Sequence, residues 1–202
     1  MSEPIRVRDD DVLGKTSSYD DSLGRFRQVH EWVVEVHPTM VHIPFILVRD
    51  ISKFPDAIAY VRDQTEKGLL YPEIHGLEHI DYAKLTKAEV IEHLNICKEF
   101  ILNEFGRVAT RWTTPWGANA SHLYEAAAEC GLTLTDCSDI LKLEGRYGIC
   151  QRLKDGEPIS NFYGHEIFMH YWGGGARLKR VVEVVKHGSW EAAAKVNREL
   201  FK

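Results

Sequence analysis

Along this 202-residue chain, the apolar positions switch repeatedly between the period of a strand and the period of a helix. "PIRVR" (4–8), "MVHIPFILV" (40–48), "LLYPEI" (69–74), "VATRW" (108–112), "LTLTD" (132–136) and "HEIFMHYW" (165–172) read as strands. Helical spacing falls between them, over "SLGRFRQVHEWVVEVH" (22–37), "FPDAIAYVRDQTEKG" (54–68) and "ASHLYEAAAEC" (120–130). Two further helices, 176–188 and 189–201, close the chain. The clearest helix starts at Thr86 and Glu89, which form a TxxE capping box. Val90, Leu94, Cys97, Ile101 and Phe105 then make one apolar stripe, and Gly106 stops it.

Repeated strand–helix alternation predicts parallel strands covered by helices, either as an open doubly wound sheet or as a barrel. No Pro-, Gly- or Ser-rich linker and no internal repeat interrupts it, so residues 1–202 are expected to form a single domain. In such folds the chemistry collects at the carboxyl ends of strands. Those ends carry Asp9, Asp10 and Asp11, then His75 and His79, then "TTPWG", then Asp136 and Asp139, and finally His170. Each has an ordinary explanation: an acidic run is usually a solvated turn, and an HxxxH pair usually packs or faces water. The acidic triplet Asp9–Asp11 and three histidines at one end of a sheet, however, suit metal-assisted hydrolysis.

The totals narrow the possibilities further. Hydrophobic residues make up 44% and charged residues 27%, an ordinary globular mixture. A net charge of −5 with no basic stripe argues against nucleic acid as a partner. The four cysteines lack CxxC spacing and read as reduced thiols. No apolar run reaches the ~20 residues of a membrane helix. The start has no signal-peptide core, which leads to a cytoplasmic expectation.

The ordered set of motifs, from residue 5 to about residue 172, resembles the polysaccharide deacetylase family. Asp10–Asp11 looks like its adjacent aspartates, and "HGLEH" like its HxxxH motif, with Gly76 where a small hydroxyl residue is usual. "TPWGAN" looks like its Pro–aromatic–Gly motif, and "FMH" like its closing strand. The family's usual Arg two residues before the Pro is Thr113 here, and Arg111 stands one strand period earlier. The resemblance implies a distorted (β/α) barrel, TIM-like, with about seven strands.

It also implies roles. Asp11, His75 and His79 would hold one divalent metal ion, with zinc favoured and other first-row metals open. Asp10 would be the general base and His170 the general acid. Arg111, Pro115, Trp116 and Trp172 would contact substrate. Reading the pair as Asp9–Asp10 shifts base and ligand back by one residue. The expected substrate is an acylated amino sugar, small or linked to a lipid or nucleotide. Deformylation, or a barrel that binds sugar or metal without turnover, is the alternative. "GGGARLKR" (173–180), with Arg177, Lys179 and Arg180, reads mainly as a loop before a helix, and secondarily as a phosphate cradle. His30, His37, His42, His93, His122, His165 and His187 read as surface or packing residues.

Overall fold

The structure, a computed structural model, describes residues 3–12, 19–135, 155–162, 164–170 and 175–200. Six parallel strands form one sheet: β1 (Ile5–Val12), β2 (Met40–Leu47), β3 (Glu73–Gly76), β4 (Arg111–Trp112), β5 (Thr133–Leu134) and β6 (Glu166–His170). Their spatial order is β5-β4-β3-β2-β1-β6. The helices are α1 (Tyr19–Val34), α2 (Val48–Ile51), α3 (Pro55–Glu66), α4 (Lys87–Phe105), α5 (Ser121–Glu129), α6 (Gly175–His187) and α7 (Trp190–Leu200).

Period two sorts each strand's side chains onto two faces. Ile5, Val7 and Ile167 pack with Val29 and Val33 of α1 and with Leu178, Val181 and Val182 of α6. Ile74 and Trp112 join Val61 of α3, the apolar stripe of α4, and Leu123 and Ala126 of α5. The other face carries Arg8, Phe45, Glu73, Arg111 and Glu166. The Arg8 and Arg111 guanidiniums lie 5.1 and 5.4 Å from the Phe45 ring centre. Arg111 of β4 bonds Glu166 of β6, although three strands separate them in the sheet. A flat sheet would hold those two side chains far apart. The sheet is therefore curled into a distorted (β/α) barrel.

The described strands number six rather than about seven, and several are shorter than their hydrophobic runs. "LLYPEI" pairs regularly only from Glu73. Leu69 and Leu70 instead return their N–H groups to the Gln64 carbonyl as the end of α3, and Leu70 keeps a single bridge to His42. β4 is shortened by a side chain. The Glu73 carboxylate accepts the N–H groups of Thr110 and Arg111, each at 2.8 Å, and the Thr110 hydroxyl at 2.9 Å. The capping box of α4 forms as its sequence predicts, and Gly106 ends the helix at φ +67°.

Candidate active site

Asp9, Asp10 and Asp11 are consecutive, yet each meets a different set of partners. Alternation sends Asp9 to the helix-covered face, where a carboxylate oxygen lies 3.6 Å from Nε2 of fully buried His42. Asp10 turns into the barrel, where both its oxygens accept from the Arg8 side chain, at 2.7 Å from Nε and 2.6 Å from Nη2. Asp11 would then be expected beside Asp9. Instead the register with β2 shifts between Asp9 and Val12, and Asp11 takes φ +58°. A bulge of this kind redirects one side chain. Asp10 and Asp11 thereby serve one end of the barrel, and Asp9 does not.

Asp11 Oδ1 is 3.0 Å from Nε2 of His75 and 3.0 Å from Nε2 of His79. His75, next to last in β3, is buried and points Nδ1 at Thr113, 2.8 Å from its hydroxyl and 3.1 Å from its carbonyl. A carbonyl only accepts, so a proton on Nδ1 satisfies it, and the tautomer with that proton alone leaves the Nε2 lone pair for a metal. That lone pair faces a carboxylate oxygen, which is also an acceptor. In that tautomer two acceptors stand 3.0 Å apart, a contact that a metal ion between them relieves, as a proton on Nε2 also would. The three donor atoms all fall within 4.8 Å of one another. Around a tetrahedral zinc, nitrogen and oxygen ligands about 2.1 Å from the metal are about 3.4 Å apart. The two carboxylate–imidazole distances of 3.0 Å need to open by only a few tenths of an ångström to fit, and the bond to Thr113 is the support a metal-ligating histidine usually has.

The turn linking the two histidines explains Gly76. A Cβ there would lie 2.8 Å from the Tyr82 hydroxyl, which already accepts the Leu77 N–H at 2.8 Å. Burial pushes the Tyr82 phenol up from its ordinary value, so it stays neutral in this role. Beyond β4, Pro115–Gly117 forms a single tight turn. Trp116 within it adopts φ +56° and is 66% exposed, with its ring edge-on to His79 at 4.6 Å. Asp11 and Trp116 are the two non-glycine residues at positive φ among the described residues, and both border this cluster. Strained backbone of that kind collects at functional sites.

The remaining predicted residues fall in several places. His170 ends β6 at the register position of Asp10. Pro115 is buried at the base of the Trp116 turn. Arg111 does reach the barrel interior, one strand period from Thr113, but its guanidinium bonds Glu166. The guanidinium on Asp10 is that of Arg8. Trp172, Asp136 and Asp139 lie outside the described residues. Lys179 sits over the Trp32 ring at 5.4 Å, while Gly173 and Gly174 of the suggested phosphate cradle lie outside the described residues. Sequence reasoning missed Arg8, although its place two residues before Asp10 puts both on one face of a strand. His30 and His42 are buried packing residues, within the sequence reading, but their contact, with Nδ1 atoms 3.2 Å apart, was not foreseen.

No family model and no curated protein matches this sequence. Solved structures do match the fold. A Family 4 carbohydrate esterase from Streptomyces lividans, in complex with acetate, aligns at TM-score 0.61 and 16% identity, over 98% of this chain and 89% of that one. The peptidoglycan deacetylase PdaC from Bacillus subtilis aligns at TM-score 0.62 and 13% identity, over 98% and 92%. A CE4 family pseudoenzyme from Bacillus anthracis aligns at TM-score 0.64 and 10% identity, over 92% of this chain and 61% of that one. A mutant of that pseudoenzyme has restored enzymatic activity. The barrel is thus the fold of the polysaccharide deacetylase structures.

Proposed function

We propose that the protein is a metal-dependent amide hydrolase that removes an acyl group, most simply acetyl, from an amino sugar. One observation carries this reading. The Asp11 carboxylate stands 3.0 Å from the Nε2 atoms of both His75 and His79, while His75 Nδ1 has the Thr113 carbonyl and hydroxyl within hydrogen-bond reach, so that a proton there would leave Nε2 for the ion. Asp11, His75 and His79 would hold the ion, with zinc first among divalent metals for two imidazoles and a carboxylate. When bound, it supplies a Lewis acid for the amide carbonyl and an acidified water.

The chain's own groups do the rest. Asp10 takes the proton from the attacking water. His170, opposite Asp10 in the β1–β6 register, protonates the amine nitrogen as the C–N bond breaks. A backbone N–H after Pro115 steadies the developing oxyanion. The exposed Trp116 ring offers an apolar face to a sugar. The Streptomyces lividans esterase and PdaC, whose fold this chain shares, are described as a carbohydrate esterase and a peptidoglycan deacetylase, and that supports the substrate class.

The test is turnover of N-acetylated chito-oligosaccharides and of a nucleotide-linked N-acetylglucosamine, before and after chelation, then with zinc restored. The reading expects release of acetate that chelation abolishes and metal restores, with the preferred substrate distinguishing a polymer from a linked monosaccharide. Formate released from an N-formyl analogue, with no acetate, would favour deformylation. Turnover indifferent to chelation contradicts the metal mechanism. Zinc binding without turnover on any acyl sugar leaves a binding barrel. Replacing Asp10 or His170 with Ala should lower kcat about 10²–10⁴-fold.

A further inference from the structure

We propose that Arg8 is the residue that positions Asp10, delivering from β1 the guanidinium that the polysaccharide deacetylase pattern places two residues before the Pro of its third motif. This rests on the hydrolase reading, in which Asp10 is the base. In this chain the third-motif position is Thr113, whose hydroxyl and carbonyl are committed to His75 Nδ1. Arg111, one strand period before it, is committed to Glu166 on the far side of the barrel. Arg8 has the geometry both lack. Its Nε and Nη2 reach the two Asp10 oxygens at 2.7 and 2.6 Å, a bidentate fork that fixes the plane of the carboxylate.

The spacing explains how one strand supplies both partners. Arg8 and Asp10 are two residues apart on regular backbone, before the bulge that turns Asp11, so both point into the barrel. Arg8 is fully buried, and the Phe45 ring lies 5.1 Å from its guanidinium, so the fork is supported from the barrel's interior. Each carboxylate oxygen has two lone pairs. The fork occupies one on each, so in the hydrolase reading a water would approach along another. Two residues are thus exchanged in function: a guanidinium on β1 serves the base, and a small hydroxyl after β4 serves the metal-ligand histidine.

A salt bridge that only holds the barrel together would look the same in a static structure, so the test must separate the two roles. Arg8→Ala is expected to lose about 100-fold in kcat, the scale of a misplaced catalytic group. KM, and zinc affinity measured by calorimetry with the metal alone, should stay near wild type. Guanidinium at a non-denaturing concentration should recover part of that loss in Arg8→Ala and none in Asp10→Ala. Arg8→Lys keeps the buried charge without the fork, should also remain slow, and carries the same readouts if Arg8→Ala does not fold. Crystal structures should show the Asp10 carboxylate displaced, with Asp11, His75 and His79 unmoved. Wild-type kcat in a folded Arg8 variant, or an Asp10 carboxylate that keeps its place, overturns the proposal. Failure of the hydrolase reading shows separately, as wild-type protein that never turns over; the carboxylate's position then decides the Arg8 proposal alone.

Discussion

A methyl group at residue 76 would collide with a phenol. The Tyr82 oxygen is 2.8 Å and its ring carbon Cε2 3.0 Å from where a Cβ would stand, and the Glu78 carbonyl is 3.1 Å away on the backbone side. The usual small hydroxyl residue is excluded here because another hydroxyl already holds the turn through Leu77. Gly76→Ser should therefore cost about 1–3 kcal/mol of stability, the range for overfilling a packed site. Tyr82→Phe in the same chain should give part of that back, since the closest atom is gone. Urea denaturation of the two variants checks this, and a stable Gly76→Ser single variant would refute it. The pair His75–His79 was legible in the sequence because HxxxH spacing sits straight after a strand. Tyr82 was not, because its contact depends on how the turn folds back.

At the scale of elements, what was legible followed local signals. The capping box set the start of α4, and Gly106 its end. The lengths of β3 and β4 were hidden, since a side chain from one strand and the end of α3 take backbone N–H groups that the sequence pattern assigns to the sheet. The packing of α1 on β2 was hidden as well. His30 of α1 bonds Gln64 of α3 through Nε2 at 3.1 Å and meets His42 of β2 through Nδ1. Phe26 and Tyr60 surround the pair, and Asp9 faces His42.

Burial lowers both imidazoles from 6.5 to about 3, and mutual repulsion adds to the effect on His30. Their folded values lie below the unfolded one, so the unfolded chain takes up protons first as pH falls. The stability conferred by these histidines is complete above about pH 6.5 and is lost progressively toward pH 3. From pH 7.5 to 5.5, two such groups cost roughly 2–3 kcal/mol. Denaturant midpoints of the wild type should fall over that range. They should fall less in a His30→Gln, His42→Gln double variant. Equal slopes in the two proteins would show that these histidines are not buried neutral.

At the scale of the molecule, alternating strands and helices indicated a parallel sheet, open or closed; the family resemblance implied the barrel, and solved polysaccharide deacetylase structures share that fold across nearly the whole chain. The inside of the barrel was less legible. Buried and half-buried charged groups, Glu73, the pair Arg111–Glu166 and the pair Arg8–Asp10, lie on its inner face with both guanidiniums beside Phe45. Charged residues in strands read from sequence as solvent-facing, and only closure of the sheet reveals that they pair with one another. Above that layer, Asp11 reaches the histidines through a backbone bulge that no hydrophobic pattern signals.

The central claim is that Asp11, His75 and His79 converge on one divalent ion. Anomalous diffraction from a zinc-soaked crystal, recorded on both sides of the zinc absorption edge, tests it most directly. The account predicts one strong peak about 2.0–2.2 Å from Asp11 Oδ1 and from the Nε2 atoms of both histidines. A peak bound elsewhere with this cluster empty, or His75 and His79 joined to Asp11 through protons alone, would contradict it.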